Sequence, residues 1–276
     1  MAITAAQVNE LRKKTGAGMM DCKKALVEAD GDMEQAIDIL RKKGQKIAAK
    51  RGDNDAREGL VFAQATADGK AGVILALNCE TDFVAKNSDF QAFVQSIVDI
   101  ATANLPASVE ELTALKYDDK LTIAEKIVEQ IGVIGEKLDL SKYEVVRSES
   151  VVAYNHPGNQ LATLVGLNKD GDVASDAGKQ VAMQVAAMNP IALNKDGVDA
   201  NTIQREIEIG KELAIQEGKP ADMAEKIAEG RLGKFFKENT LLSQPFVRDN
   251  KLTVEQFLNQ SESGLTVVDF KRVALS

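Results

Sequence analysis

The strongest constraint on the fold is a change of hydrophobic period near residue 59. Two strand-length runs, 59–66 and 71–80, flank Ala67-Asp68-Gly69-Lys70. An Asp-Gly pair between such runs is a strong β-hairpin signal, because the tight turn needs residues that tolerate positive φ. In the second run Val73, Leu75, Leu77 and Cys79 share one face at period two. A helical pattern follows at about 89–102, turning Phe90, Phe93, Val94 and Ile97 inward. The order then recurs: Val151 to Tyr154, the turn His156-Pro157-Gly158-Asn159, Leu161 to Leu167, and a helix at about 176–188. This predicts a diverged internal duplication. After its strand the second copy has Asn168-Lys169-Asp170-Gly171 where the first has Cys79-Glu80-Thr81-Asp82-Phe83-Val84, which marks the first turn as distinctive.

The remaining pattern fills in around this core. A helix near 122–134 leads to a strand at about 143–148. Residues 199–239 hold two amphipathic helices, one with Ile203, Ile207, Gly210 and Ala214 on a face and the other with Met223, Ile227, Phe235 and Phe236. Their short connector, Gln216 to Pro220, predicts an antiparallel helical hairpin projecting from the core. The run Thr266 to Val273 reads as a strand completing the second sheet.

Upstream, the first 51 residues read as three short helices. Thr4 with Gln7 and Asp32 with Gln35 have capping-box spacing, so helices should begin at about 5 and 33. Thr15-Gly16-Ala17-Gly18 breaks the pattern, and Met19-Met20-Asp21-Cys22 opens a middle helix with Cys22, Ala25, Leu26 and Ala29 on one face. In the third helix Met33, Ala36, Ile37, Leu40, Gly44, Ile47 and Ala48 follow the helical repeat, and the helix runs on as a basic linker to residue 54. The predicted class is α+β. The expected division is an N-terminal three-helix, ubiquitin-associated-like module at 1–54, a first core half at 55–148, and a second core half at 149–276 carrying the helical hairpin at about 190–240.

Composition narrows the function. Apolar residues make up 44% and charged residues 28%, which suits a folded globular chain. The N-terminus lacks the order of a secretory signal and no long apolar run is present, so a cytoplasmic location and no membrane contact are expected. The net charge of −8 argues against direct nucleic-acid binding, yet residues 1–51 carry 11 Lys/Arg against 7 Asp/Glu. A basic head on an acidic body suits docking to an acidic protein surface, or is a solvated helix face. Cys22 and Cys79 have no metal or redox spacing and read as buried hydrophobes. With His156 as the sole histidine, every Ser-His-Asp or Cys-His mechanism would have to pass through a Pro-Gly turn. There is no GxxxxGK[ST] loop, and Gly16-Ala17-Gly18 follows a helix where a dinucleotide fingerprint requires a strand. No catalytic residue, metal or cofactor is therefore expected.

The turn after the second strand is the candidate site. Asp82-Phe83 places an acid and a large aromatic where a loop can project both outward. Alternatively Thr81 or Asp82 caps a turn and Phe83 joins the core. Spacing alone leaves both open.

Two long signatures add a resemblance. Leu11 to Leu26, reading LRKKTGAGMMDCKKAL, and Asn78 to Ala85, reading NCETDFVA, closely resemble the two signatures of the bacterial translation elongation factor Ts family. Weaker similarity runs through Tyr154 to His156, Val181 to Ala187, Gly218 to Arg231 and Gln244 to Val247. The resemblance implies a guanine nucleotide exchange factor that releases GDP from elongation factor Tu, a GTPase, rather than an enzyme. It implies that Thr81, Asp82, Phe83 and Val84 act on the partner's magnesium site, with Phe83 wedging between two helices and Asp82 disturbing groups that support the metal. Met19 and Met20 would be apolar contacts to the GTPase domain, the alternative for Met20 being the head's own core. Ile131, Gly132 and His156 match positions that contact the more distal partner domains. The run after His156 departs from the commoner Gly-Arg-Ile-Gly type. The chain also stops soon after residue 274, where some members carry a further helical module. Some members dimerise through the hairpin or core, so a homodimer within a 2:2 complex is compatible with the resemblance.

Overall fold

A computed structural model describes residues 3–275. The N-terminal module comprises α1 (Ala5–Thr15), α2 (Met19–Glu28) and α3 (Met33–Arg51). Thr4 and Gln7 form the reciprocal capping box. At Asp32 the side chain accepts from the Gln35 N–H at 2.8 Å, but the Asp32 N–H is already committed to the Ala29 carbonyl, so the cap is one-directional. Val8, Leu11, Cys22, Ala25, Leu26 and Ala36 close the module's core.

The first core half runs β1 (Glu58–Ala65), β2 (Ala71–Cys79), α4 (Asp82–Ala85), α5 (Ser88–Asn104), α6 (Val109–Ala114), α7 (Ile123–Ile134) and β3 (Asp139–Arg147). The second runs β4 (Ser150–Asn155), β5 (Leu161–Leu167), α8 (Asp172–Met188), α9 (Ala200–Gln216), α10 (Ala221–Asn239), β6 (Pro245–Phe246), β7 (Asp249–Thr253), α11 (Val254–Ser261) and β8 (Val267–Ala274). Two antiparallel three-stranded sheets result, ordered β1-β2-β3 and β4-β5-β8. In each, a hairpin is followed by helices and then by a strand that returns to pair with the hairpin's second strand, which is the plan the duplicated pattern predicts.

The sheets pack face to face. Val61, Ala63, Ile74, Ala76 and Val146 of one meet Val151, Ala162, Leu164 and Val273 of the other. α5 and α7 cover the outer face of the first sheet through Phe90, Phe93, Ile97 and Ile127, and α8 covers the second through Ala174, Val181 and Val185. All nine residues of β2 are buried, because this central strand has a helix layer on one face and a sheet on the other. The Asp-Gly turn forms as predicted. Gly69 takes φ +68°, donates to the Thr66 carbonyl at 2.9 Å, and Asp68 accepts from the Thr66 hydroxyl at 2.6 Å.

Several boundaries differ from the sequence expectation. β3 begins at residue 139 rather than 143, because a bulge opposite Ala76 and Leu77 inserts a residue and breaks the period of two. α8 begins four residues early. α6, β6 and β7 carry short patterns that periodicity does not reveal, and α11 was not foreseen although Val254, Phe257 and Leu258 follow the helical repeat. The helical hairpin forms from α9 and α10, and β8 joins the second sheet as expected. Among the described residues, no helix is long and apolar enough to cross a membrane.

Candidate functional site

The turn after β2 is built from backbone outward. Cys79 is the last, fully buried residue of the strand, and its thiol donates to the Thr81 carbonyl at 3.2 Å. Burial pushes that thiol up to about 12, so it stays protonated and inert at neutral pH. Thr81 then caps the one-turn helix α4, its hydroxyl oxygen accepting from the Val84 N–H at 3.4 Å. The same hydroxyl donates to Glu136 Oε1 at 2.7 Å.

Phe83, the second residue of α4, is 82% exposed. Each alternative from the sequence is therefore half realised: Thr81 caps the turn, and Phe83 projects instead of entering the core. The physical reason is the phase of α4, which turns Ala85 and Val84 toward the core and leaves Phe83 on the opposite side. Asp82 is half-buried and accepts from Lys86 Nζ at 2.6 Å. The Lys86 ammonium is the main reason its carboxyl lies below the ordinary carboxylate value. Such a solvent-screened pair is readily given up to a partner.

The turn rests on a polar framework from distant segments. Glu136 accepts the backbone N–H groups of Glu80 at 3.1 Å and Thr81 at 3.0 Å. The Glu80 carboxylate accepts from Arg51 Nη1 at 2.9 and 2.8 Å, from Asn54 Nδ2 at 3.1 Å, and from the Lys137 N–H at 2.6 Å. Burial alone would raise the Glu80 carboxyl, but these donors outweigh it and hold it below its usual value. Lys137 Nζ in turn donates to the Gly52 and Asn54 carbonyls at 2.7 and 3.0 Å. None of this framework was legible beforehand, since no local pattern links residues 51, 80 and 136.

The other predicted positions fall differently. Met19 and Met20 are 55% and 62% exposed at the start of α2, so Met20 is not part of the head's core. Val27, seven residues on and so on the same side of α2, is 57% exposed, with the exposed Lys23 and Lys24 between it and Met20. Its spacing from Met20 was the signal that could have found it. His156 is exposed, with Nδ1 3.0 Å from the Tyr154 hydroxyl. Its turn lies across a groove from α4, with Asp82, Lys86 and Gln91 on one wall and Gly158 to Gln160 on the other. Ile131 is buried at 5% in the core beneath the first sheet, and Gly132 packs against Gly44 of α3. Neither presents a side chain outward; α7 uses both to seat itself between the head and the sheet. Among the described residues, no group of three or more His, Cys, Asp or Glu side chains is placed to hold a metal ion.

The site thus offers an exposed aromatic and an adjacent carboxylate on a hydrogen-bonded mount, and two exposed methionines on the head. Comparison with known proteins agrees with the two signatures. A family model described as Elongation factor TS matches residues 80–276, more than half the chain. The Elongation factor Ts of Amoebophilus asiaticus is 56% identical over 274 residues, covering 99% of each chain. That of Christiangramia forsetii is 53% identical over 274 residues, covering 99% of this chain and 98% of the relative. That of Porphyromonas gingivalis is 48% identical over 276 residues, covering all of this chain and 99% of the relative. A match of this extent, over more than half the chain for the family model and nearly all of it for the relatives, establishes that the chain belongs to the elongation factor Ts family.

Proposed function

We propose that this chain is a cytoplasmic exchange factor that promotes GDP release from elongation factor Tu by a binding mechanism, without catalysing a chemical reaction. The observation that carries the reading is Phe83: a large aromatic held 82% in solvent on a capped turn whose backbone is fixed on both sides. An isolated exposed aromatic on a rigid mount is suited to insertion, because little conformational freedom is lost when it is buried.

Magnesium in a GTPase bridges nucleotide phosphates to the protein and offsets their charge, so displacing it weakens nucleotide binding. Burying one exposed Phe contributes roughly 1.5 to 3 kcal/mol, enough to help hold a distorted partner loop. In this reading Phe83 wedges between partner helices, Asp82 exchanges Lys86 for partner groups near the metal, and Thr81 and Val84 hold the turn. Met19 and Met20 dock the head on the GTPase domain, and the His156 turn reaches a further contact beside the groove. Because coupling between two ligands is reciprocal, GDP must loosen this protein as much as this protein loosens GDP, which gives turnover.

Release of labelled GDP from elongation factor Tu, with and without the chain, tests the reading. Acceleration at micromolar concentrations is expected; its absence would overturn the proposal.

A further inference from the structure

We propose that Glu136 is a positioning residue for nucleotide exchange: it sets the direction in which Phe83 is presented and ties that direction to the placement of the N-terminal module. The inference rests on the exchange reading above.

α4 is four residues long and has no stability of its own, since a single helical turn does not offset the cost of nucleating it. The direction of Phe83 is therefore set by whatever holds the N-cap. Thr81 is held by Glu136, which takes its hydroxyl at 2.7 Å, its N–H at 3.0 Å and the preceding N–H of Glu80 at 3.1 Å. The clamp is reciprocal: the Glu80 carboxylate accepts the N–H of Lys137, the residue after Glu136, at 2.6 Å. Each turn holds the other's backbone with a carboxylate.

What lies behind Glu136 links it to the N-terminal module. It follows Gly135, the left-handed C-cap of α7, so its position is that of the end of α7. Val133 of that helix packs on the head's core, and Gly132 meets Gly44 of α3 backbone to backbone. Arg51, the last residue of α3, reaches Glu80 from the other side. A head docked on a partner thus bears on the Phe83 turn by two routes, α7 through Glu136 and α3 through Arg51 and Glu80.

The test follows labelled GDP release from elongation factor Tu across titrations of wild type, E136A and E136Q. Hydrogen exchange of the Glu80 and Thr81 amides and thermal unfolding are measured on the same preparations. E136A is expected to lower the rate constant at saturation by about tenfold or more, as misplacing a reacting group does, while the half-saturating concentration changes less than about threefold. The Glu80 and Thr81 amides should lose protection. E136Q keeps one carbonyl oxygen for the two backbone N–H groups but loses the anionic acceptor of the Thr81 hydroxyl, so a fall of about two- to threefold is expected. A wild-type saturating rate in E136A, or a lost rate with unchanged amide protection, overturns the proposal. Should E136A not fold, E136Q decides alone: a reduced saturating rate with weakened Thr81 protection supports the role, and an unchanged rate overturns it. A wild-type chain that does not accelerate release overturns the exchange reading itself, whereas acceleration by the wild type and equally by E136A sinks only the role of Glu136.

Discussion

Gly44 of α3 and Gly132 of α7 meet where the two helices cross, so closely that a methyl carbon built on Gly132 falls 2.7 Å from the Gly44 Cα. The same carbon built on Gly44 falls 3.0 Å from the Val128 carbonyl oxygen. Replacing a helical Gly by Ala ordinarily stabilises by about 1 kcal/mol. Here both neighbours are backbone and cannot move aside, so the sign reverses. G132A is expected to destabilise the protein by about 1 to 3 kcal/mol, the usual cost of overpacking, as read by chemical denaturation.

Phe83→Ala separates binding from folding. The side chain is 82% exposed and packs on nothing in the core, so stability should stay within about 0.5 kcal/mol of wild type, the range of ordinary surface substitutions. Loss of its burial in a partner should slow GDP release by about tenfold or more, the rate equivalent of roughly 1.5 to 3 kcal/mol. Thermal unfolding alongside the exchange assay checks both halves.

Glu80 makes part of the stability pH-dependent. Its folded carboxyl lies below the ordinary value of 4.5, so the ionised form is favoured in the folded state. The associated stability is fully present above pH 4.5 and is lost as pH falls through the lower, folded value. Denaturation of wild type and E80Q between about pH 3 and 7 should show a stability gap at neutral pH that narrows in acid.

Neither thiol should react in the native chain. Cys22 and Cys79 are both buried, burial raises both above the ordinary value, and Cys79 reaches about 12. Alkylation at pH 8 should therefore label neither residue until denaturant is added, after which both react. Mass spectrometry before and after unfolding gives the count.

Met19, Met20 and Val27 are all exposed on α2, Val27 two turns beyond Met20 on the same side. Replacing Val27 by Asp should raise the concentration needed for half-maximal exchange, by about fivefold or more for a charge placed in an apolar contact, with the saturating rate little changed. Fold stability should be unaffected, since none of the three side chains enters the head's core. Titration of the exchange rate against protein concentration distinguishes the two effects.

Much of the local structure was legible because its causes are local. The Asp68-Gly69 turn, the Thr4 cap, the three head helices, the hairpin-then-helix plan and the α9-α10 pair all follow from turn chemistry and periodicity within about a dozen residues. Where the signal failed, the chain departs from regularity: the bulge in β3 destroys alternation, and β6 has only two residues. α11 did carry a usable signal, since Thr253 and Gln256 form a capping box.

What the sequence by itself determined, then, was class, order of elements, family resemblance and the identity of the distinctive turn. Only the tertiary structure decided which way that turn faces. Phe83 and Ile131 are both large apolar residues on helices, yet one is almost wholly in solvent and the other in the core. Exposure depends on which layers arrive from elsewhere: Ile131 lies in the core of the first half, while no described residue packs over the outer side of α4. The hydrogen bonds that mount the turn join residues 26 to 85 positions apart, and contacts at such separations leave no periodic trace in the chain.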